Sequence, residues 1–263
     1  MPLPEVYRRR RRPFVLAHRG ASAERPENTE AAFRRALELG ADGVELDVFC
    51  CASGEVVVVH DEELGRLAGQ PVRVTATPWA VLRGLDVGSW FDRRYGSARL
   101  LLLPEALEIL GPAALVNVEL KGEGLGDSRL AARVAGVLSQ APAPERFLVS
   151  SFNPVLLRRF AAAEARLAPG ARSPLGLLFE PGHVLSLGPM TVARALGAVS
   201  LHPARELCDA RRLGRWTRSS LSVVPWTVDD PPAAVALGEA GVAGVITNRP
   251  AEVLEAFRAG KPG

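Results

Sequence analysis

The architecture of this chain can be read outward from one stretch, Asp42-Gly-Val-Glu-Leu-Asp-Val-Phe-Cys-Cys-Ala-Ser-Gly-Glu-Val-Val-Val-Val-His-Asp61. Apolar residues on both sides of Ser53-Gly54, β-branched on the second side, predict two strands joined by a tight turn. The first strand carries Glu45 and Asp47, which are two residues apart and therefore point to the same face.

The type of turn determines where His60, at the end of the second strand, will lie. A two-residue turn at Ser53-Gly54 pairs Asp47 directly with His60, and directly opposed side chains share a face at roughly 5 Å between Cβ atoms. We therefore expect Glu45, Asp47 and His60 to form one cluster. A slip of one residue in the pairing would turn His60 to the other face.

Length and composition limit the function classes. The chain has 263 residues, of which 48% are hydrophobic and 23% charged, and this suits a folded protein with a sizeable core. No apolar run approaches the roughly 18 residues that span a bilayer, so no integral membrane segment is expected. The net charge of +3 is small for a nucleic-acid-binding protein, and no nucleic-acid partner is expected. The sequence does not specify an oligomeric state.

The N-terminus and the cysteines predict a cytoplasmic location. The arginine run Arg8–Arg12 has no apolar segment after it, which argues against a secretory signal and indicates a solvated tail. Cys50, Cys51 and Cys208 have no metal-binding spacing, and we expect them to be reduced packing residues. Because Cys50 and Cys51 are neighbours in a strand, they should point to opposite faces.

A regular alternation of strands and helices predicts the fold class. Eight strands are expected to begin near residues 14, 43, 115, 147, 175, 198, 222 and 244, each followed by a helix. Asn28 is the expected cap of the first of these helices, and Arg205–Leu213 is expected to be a later one. The pattern predicts a single (β/α)₈ TIM-barrel domain over residues 1–263, with an inserted segment at about 61–99. An open doubly wound sheet would usually show a glycine-rich phosphate loop after the first strand, and none is present.

Polar residues gather where the predicted strands end, and barrels of this kind carry their active sites at that end. Glu45, Asp47 and Glu119 are three carboxylates that converge there without a cysteine ligand, which favours a hard divalent cation, Mg²⁺ or Ca²⁺. The alternative is that each acid makes a structural salt bridge. Burying three like charges without a cation is costly, so the cation site is the favoured interpretation.

Histidines and basic residues lie at the same strand ends. His18 and His60 beside a hard cation suggest general acid–base catalysis, because imidazole titrates near neutral pH. Arg19 and Lys121 supply positive charge for an anion such as a phosphate. Lysine occurs elsewhere only at Lys261, which indicates that position 121 needs a compact ammonium group.

Other polar residues near strand ends are weaker candidates. His202 ends the sixth strand and is a candidate substrate contact. His183 lies in a loop rich in proline and glycine and is expected to be structural. Ser150 and Ser151 have no nucleophile-elbow motif around them, which argues against a serine hydrolase.

Short motifs run through most of the chain. They are dense in the first half and looser after it: His18-Arg-Gly20, Pro26-Glu-Asn-Thr29, Gly43-Val-Glu-Leu-Asp-Val48, Val59-His60-Asp61, Val118-Glu-Leu-Lys121, Val149-Ser-Ser-Phe152, Pro225-Trp-Thr-Val228 and Gly244-Val-Ile-Thr247. Together these motifs resemble the glycerophosphodiester phosphodiesterase family. The resemblance implies a barrel with a small insertion after the second strand, and hydrolysis of glycerophosphodiesters to glycerol 3-phosphate and an alcohol.

The resemblance also implies residue roles. Glu45, Asp47 and Glu119 would hold the cation, His18 and His60 would be the catalytic acid–base pair, and Arg19 and Lys121 would bind the phosphate. Asp229 and Asn248 depart from the family pattern, which often has Asn and Asp at these positions respectively. We expect neither to belong to the set of metal ligands and catalytic histidines, so the departure concerns the edge of the substrate pocket.

Two other functions remain open at this stage. A lysophospholipase D-like enzyme on the same scaffold would need an apolar rim for an acyl chain, which Trp90, Phe91, Phe152 and Trp226 could supply. A barrel that binds phosphodiesters without turnover would have little use for two histidines together with three acids. Trp226, which follows the seventh strand, is a candidate substrate-binding residue in either enzyme.

Overall fold

The computed structural model describes residues 3–9, 12–122, 128–170, 172–183 and 187–260, and Arg10 and Arg11 of the predicted tail lie outside them. Its strands alternate with helices along the chain, apart from a hairpin and an insertion that follow β2. The strands are β1 Phe14–His18, β2 Gly43–Cys50, β3 Val56–Val58, β4 Leu101–Leu102, β5 Leu115–Leu120, β6 Phe147–Ser151, β7 Leu175–Phe179, β8 Ser200–Pro203, β9 Ser222–Val223 and β10 Gly244–Thr247.

Eight of these strands form a closed parallel barrel in the order β10-β1-β2-β5-β6-β7-β8-β9. The last gap, between β9 and β10, is bridged by backbone hydrogen bonds from Ala243 N to Val223 O at 2.9 Å and from Ile246 N to Pro225 O at 3.0 Å. The strand β9 is shorter than expected and stops before Pro225, which has no N–H to donate. The predicted (β/α)₈ fold is confirmed.

The helices cover the outside of the barrel, and several begin at a proline, whose missing N–H costs nothing in the first turn of a helix. No helix in the described part of the chain is long and apolar enough to cross a membrane. The helices are α1 Glu5–Arg8, α2 Glu30–Glu38, α3 Gly65–Ala68, α4 Trp79–Leu82, α5 Leu103–Leu110, α6 Ser128–Gln140, α7 Pro154–Leu167, α8 Pro189–Ala195, α9 Ala210–Thr217, α10 Pro231–Glu239 and α11 Pro250–Ala259.

Two predicted helix boundaries are wrong. The cap of α2 is Thr29, whose side chain accepts a hydrogen bond from Ala32 N, and Asn28 instead takes a left-handed conformation with φ 55°. The expected helix Arg205–Leu213 is divided, because Asp209 accepts a hydrogen bond from Arg212 N at 2.8 Å and starts a new helix. Arg205–Leu207 before it is a single 3₁₀ turn.

Alternate residues of the strands face two different cores. In β1, Phe14 and Leu16 point into the barrel, whereas Val15 and Ala17 pack under the outer helices. Tyr7 of the N-terminal segment packs into the inner cluster, with its ring 5.3 Å from that of Phe14, and Leu3 joins it. The expectation of a solvated tail is therefore wrong for these apolar residues, although the Arg8 and Arg9 side chains are exposed.

The hairpin formed by β2 and β3 is one residue out of the predicted register. Cys51 N donates to Glu55 O at 2.9 Å, so the turn encloses three residues and ends at Gly54, which takes φ 101°. Asp47 therefore pairs with Val59, whose N–H donates to Asp47 O at 2.9 Å. His60 lies beyond β3, where the chain has left the strand and the alternation of faces no longer applies.

The segment 61–99 packs on the hairpin through an apolar cluster of its own. Its elements are α3, α4 and the 3₁₀ turns Val74–Ala76 and Arg93–Tyr95. In this cluster, leucines of the insertion pack against one face of the hairpin. Cys51 belongs to the cluster, whereas Cys50 packs in the main core. The two neighbouring cysteines point to opposite faces, as predicted.

Close contact between β2 and β5 leads to a prediction about stability. A Cβ added to Gly43 would lie 1.8 Å from Leu115 O, so Gly43→Ala must push two barrel strands apart. We expect this variant to lose about 1–3 kcal/mol of unfolding free energy, measured by denaturant titration. Gly136→Ala, in the middle of α6 with no atom within 4 Å of the new Cβ, is the matched control and should gain about 0.5–1 kcal/mol. Equal effects of the two variants would contradict the packing argument.

Candidate active site

A cavity of about 910 Å³ opens at the carboxyl ends of the barrel strands. Its wall contains most of the residues that sequence reasoning selected, contributed by different strands and the loops that follow them. The wall includes His18, Arg19, Glu45, His60, Glu62, Asn117, Glu119, Lys121, Ser151, Phe152, His183 and Trp226.

Three buried carboxylates form a cluster at this cavity. Parallel pairing places Asp47 of β2 opposite Glu119 of β5, and Glu45 lies two residues before Asp47 on the same face. Each of the three side chains offers an oxygen, and these oxygens lie within 4.8 Å of one another. The structure therefore brings the three predicted metal ligands together.

The carboxylates differ in how their charge is compensated. Burial raises the pKa of Glu45 well above its usual range, with Asp47 adding to the effect. Burial also raises the pKa of Glu119 to about 7, although Lys121 opposes it. Burial acts in the same direction on Asp47, but Lys121 and Arg19 outweigh it and hold the pKa of Asp47 at about 2. If all three carboxylates were ionised, their negative charge would exceed the positive charge of Arg19 and Lys121.

The donor set suits a hard divalent cation. All three residues offer oxygen, which is what Mg²⁺ and Ca²⁺ prefer. Within the described ranges, Glu45 Oε1 and Asp47 Oδ1 are buried and have no hydrogen-bond partner. Lys121 Nζ, at 3.5 Å, is the ion-pair neighbour of Asp47 Oδ1. Buried carboxylate oxygens without partners are costly, and a cation bound between them would remove that cost.

The two histidines lie in the cavity wall but have different partners. His18 Nδ1 is 2.7 Å from Asn248 Oδ1, and its Nε2 is 3.8 Å from Glu45 Oε2. His60 Nδ1 is 2.7 Å from Asp61 Oδ1, a carboxylate oxygen. Burial lowers the pKa of both, that of His18 to about 4, with Arg19 as the next cause. Each ring thus has Nδ1 occupied, which leaves Nε2 as the nitrogen available to a ligand.

Arg19 and Lys121 face the carboxylates from the cavity wall. Arg19 bonds Glu27 through Nη1 at 2.9 Å and lies 3.3 Å from Asp47 through Nε. It takes a left-handed conformation with φ 56°, and its backbone N–H lies 3.2 Å from Glu45 Oε2. Lys121 Nζ donates to Glu119 Oε1 at 2.9 Å. Both predicted anion-binding residues are therefore at the cluster.

The two remaining predicted residues have different positions. Trp226 lines the cavity, packs edge-to-face on Phe152 at 5.4 Å, and donates from Nε1 to His202 O at 2.9 Å. His202 is fully buried beside Ser200 Oγ, 3.0 Å from its Nε2, and is not in the cavity wall. The expected substrate contact through the His202 side chain is not supported, because the ring packs inside the barrel.

Sequence reasoning missed three residues of this site. Asn28 Nδ2 donates to Asp47 Oδ2 at 3.0 Å, a contact hidden by its assignment as a helix cap. Asn117 is fully buried in the cavity wall, and its position two residues before Glu119 on the same face was a usable signal. His183 also lines the cavity, 5.8 Å from the Phe152 ring, and the sequence of its loop carried no signal.

The insertion reaches the site through Glu62, which lines the cavity, and through Arg66, but not through its aromatic pair. Trp90 and Phe91 do not line the cavity. Two of the four aromatic residues expected to form an apolar rim are therefore not part of it. Arg66 is 5.1 Å from the centre of the Trp90 ring and bonds Glu27 through both Nη1, at 2.9 Å, and Nη2, at 2.7 Å. Its Nε donates to Asp61 at 2.7 Å. Arg66 therefore supports the partners of both Arg19 and His60.

Comparison with known proteins places this constellation in a family. Residues 18–252 match the model of the glycerophosphoryl diester phosphodiesterase family. The chain belongs to that family. A glycerophosphodiester phosphodiesterase of Caldanaerobacter subterraneus is 34% identical over 94% of this chain and 98% of its own length.

Solved structures of relatives share the fold. A phosphodiesterase of Oleispira antarctica, solved in complex with the product sn-glycerol-3-phosphate, is 28% identical and superposes with a TM-score of 0.84 over 96% of this chain and 99% of its own. A glycerophosphodiester phosphodiesterase of Agrobacterium tumefaciens is 27% identical, with a TM-score of 0.74 over 92% of this chain and 99% of its own. The family therefore extends over the barrel and its inserted segment.

The Arg66 contacts generate a prediction. Arg66→Met keeps an unbranched side chain but removes the cation that holds Glu27 and Asp61, the partners of Arg19 and His60. We expect kcat for a glycerophosphodiester to fall by about tenfold or more with little change in Tm. Arg73→Met, which removes an exposed arginine of the same segment that pairs with Glu63, is the control. If both variants behave alike, Arg66 has no role beyond the surface of the insertion.

Proposed function

We propose that this protein hydrolyses glycerophosphodiesters to glycerol 3-phosphate and an alcohol, using a divalent cation and two histidines. The observation that carries the proposal is that His18, His60, Glu45 and Glu119 line one cavity of a family member. The buried Asp47 lies behind this wall, with a carboxylate oxygen within 4.8 Å of both acids. The product complex of the Oleispira antarctica relative supports the same substrate class. We propose that the chain acts as one barrel domain in the cytoplasm, with the segment at about 61–99 as its insertion.

The charges of the site suit a phosphodiester. Glu45, Asp47 and Glu119 would hold the cation, and Mg²⁺ and Ca²⁺ both match their oxygen ligands. When bound, the cation would neutralise charge on the phosphate oxygens. Arg19 and Lys121 sit at the same cluster, so a phosphate that enters the cavity meets two further positive charges.

The histidines can exchange protons with opposite ends of the reacting group. Each holds its Nδ1 against an oxygen of the protein, so that Nε2 is presented for proton transfer. One histidine would remove the proton of the attacking hydroxyl, and the other would protonate the leaving alcohol. Trp226 and Phe152 form an apolar wall of the same cavity and would contact the carbon skeleton of the substrate.

The alternative functions have less support. A lysophospholipase D-like enzyme needs an apolar rim, and only Phe152 and Trp226 of the four expected aromatic residues line the cavity. A barrel that binds phosphodiesters without turnover would not need two histidines, His18 and His60, in the cavity wall.

The first test concerns the cation. Protein stripped by a chelator should not release glycerol 3-phosphate from glycerophosphocholine, and Mg²⁺, Mn²⁺ or Ca²⁺ should restore turnover. Glu45→Gln keeps the shape but removes a charge, and we expect activity to fall by about 10²-fold or more with the fold retained. Glu108→Gln, on the exposed face of α5, is the control. Full activity in excess chelator would contradict the proposal, and faster turnover of the lysolipid would favour a lysophospholipase D.

The second test concerns the attacking group. The glycerol 2-hydroxyl is held next to the phosphorus at high effective concentration, and its attack would give a cyclic phosphate that water then opens. This route gives both histidines a role in each half-reaction, with the roles reversed. A substrate with hydrogen in place of the 2-hydroxyl should bind with similar affinity and scarcely turn over. Turnover near the parent rate would instead establish direct attack by water.

A further inference from the structure

The residue that holds His18 is a neutral amide, and the amide is itself held by a carboxylate. Asn248, which follows β10, places its Oδ1 2.7 Å from His18 Nδ1 and 2.8 Å from Ser22 Oγ. Its Nδ2 donates to Asp229 Oδ2 at 2.6 Å, and its backbone N–H donates to Asp229 Oδ1 at 2.7 Å. Thr247 Oγ1 donates to the same Asp229 oxygen at 3.0 Å.

Asp229, Asn248 and His18 are linked by a series of hydrogen bonds, and the direction of each bond follows from the one before it. An ionised carboxylate only accepts, so Asp229 requires the NH₂ group of Asn248 to face it. The amide oxygen must then face His18, and because a carbonyl oxygen also only accepts, His18 Nδ1 must carry the proton. In the neutral ring, His18 Nε2, which lies toward Glu45, then carries the lone pair.

We propose that Asn248 and Asp229 are positioning residues that fix the Nδ1–H tautomer and the ring orientation of His18. The departure of Asn248 from the family pattern was expected to concern only the edge of the substrate pocket, whereas Asn248 bonds His18 directly. The arrangement makes the two histidines unequal, because His60 is held by the carboxylate of Asp61 and His18 by an amide. The catalytic consequence rests on the proposed function, whereas the tautomer does not.

The tautomer can be measured in the wild-type protein. The chain has four histidines, so a sample labelled with ¹⁵N-histidine gives four side-chain patterns in a long-range ¹H–¹⁵N NMR spectrum. With Mg²⁺ added at about pH 8, where an ordinary imidazole is neutral, His18 should show a protonated Nδ1 and an unprotonated Nε2. The His18→Gln variant assigns the pattern. A protonated Nε2 on a neutral His18 would overturn the proposal, whatever the activity of the protein.

A double-mutant cycle tests the consequence for catalysis. Asn248→Asp replaces the Nδ2 donor with an oxygen beside Asp229 Oδ2, so two carboxylates meet and the side chain that accepts from His18 Nδ1 is no longer anchored by Asp229. We expect kcat to fall on the order of 10²-fold with KM nearly unchanged. Adding Asp229→Asn restores one amide to the pair, and its NH₂ group can donate to the carboxylate at position 248. The double variant should therefore have a kcat at least about tenfold higher than that of Asn248→Asp.

Failure of the positioning role and failure of the proposed function give different results in this test. Asp230→Asn changes the neighbouring acid, which caps α10 and does not contact His18, and should leave kcat unchanged. If the double variant is no more active than Asn248→Asp while both melt like the wild type, the positioning role is wrong. If wild-type protein fails to hydrolyse any glycerophosphodiester, the proposed function is wrong, and the tautomer measurement still decides this inference.

Discussion

The mutual repulsion of three buried carboxylates is the constraint on which the site depends. Parallel pairing of β2 with β5 forces Asp47 and Glu119 together, and the alternation of faces adds Glu45. Lys121 and Arg19 compensate this charge in part, and buried carboxylate oxygens still remain without partners. A divalent cation bound there would supply the missing charge and would let an anionic phosphodiester enter without further repulsion. In the proposed function, metal and substrate affinity would both arise from one feature of strand pairing.

The site is supported by layers of hydrogen bonds that extend away from the cavity. His60 depends on Asp61, and Asp61 on Arg66 of the insertion. On the opposite side, His18 depends on Asn248, and Asn248 on Asp229. Such partners determine ring orientation and tautomer without touching a substrate. The series that supports His60 ends in the cation Arg66, and the one that supports His18 ends in the carboxylate Asp229. The two histidines therefore have different environments within one cavity.

The insertion has a structural role that its aromatic residues did not indicate. Trp90 and Phe91 pack on each other at 5.8 Å, outside the cavity wall. The segment contributes Glu62 to the cavity wall. It also contributes Arg66, whose planar guanidinium bonds Glu27 through two nitrogens and Asp61 through a third. A long irregular segment after a catalytic strand can therefore contribute to an active site through charge and need not cover it.

The sequence by itself determined the (β/α)₈ barrel and the strand-end cluster of Glu45, Asp47 and Glu119, because strand periodicity and parallel pairing are local rules that carry over directly into space. Only the tertiary structure decided the hairpin register, the position of His202, and the Asn248 support of His18. These depend on one turn residue at φ 101°, on the packing of a buried ring, and on a contact between the two ends of the chain. The length of the hairpin turn is local, but the residue types at Ser53-Gly54 suit more than one turn. The other two features arise from atoms that meet only when the barrel closes, so no local pattern encodes them.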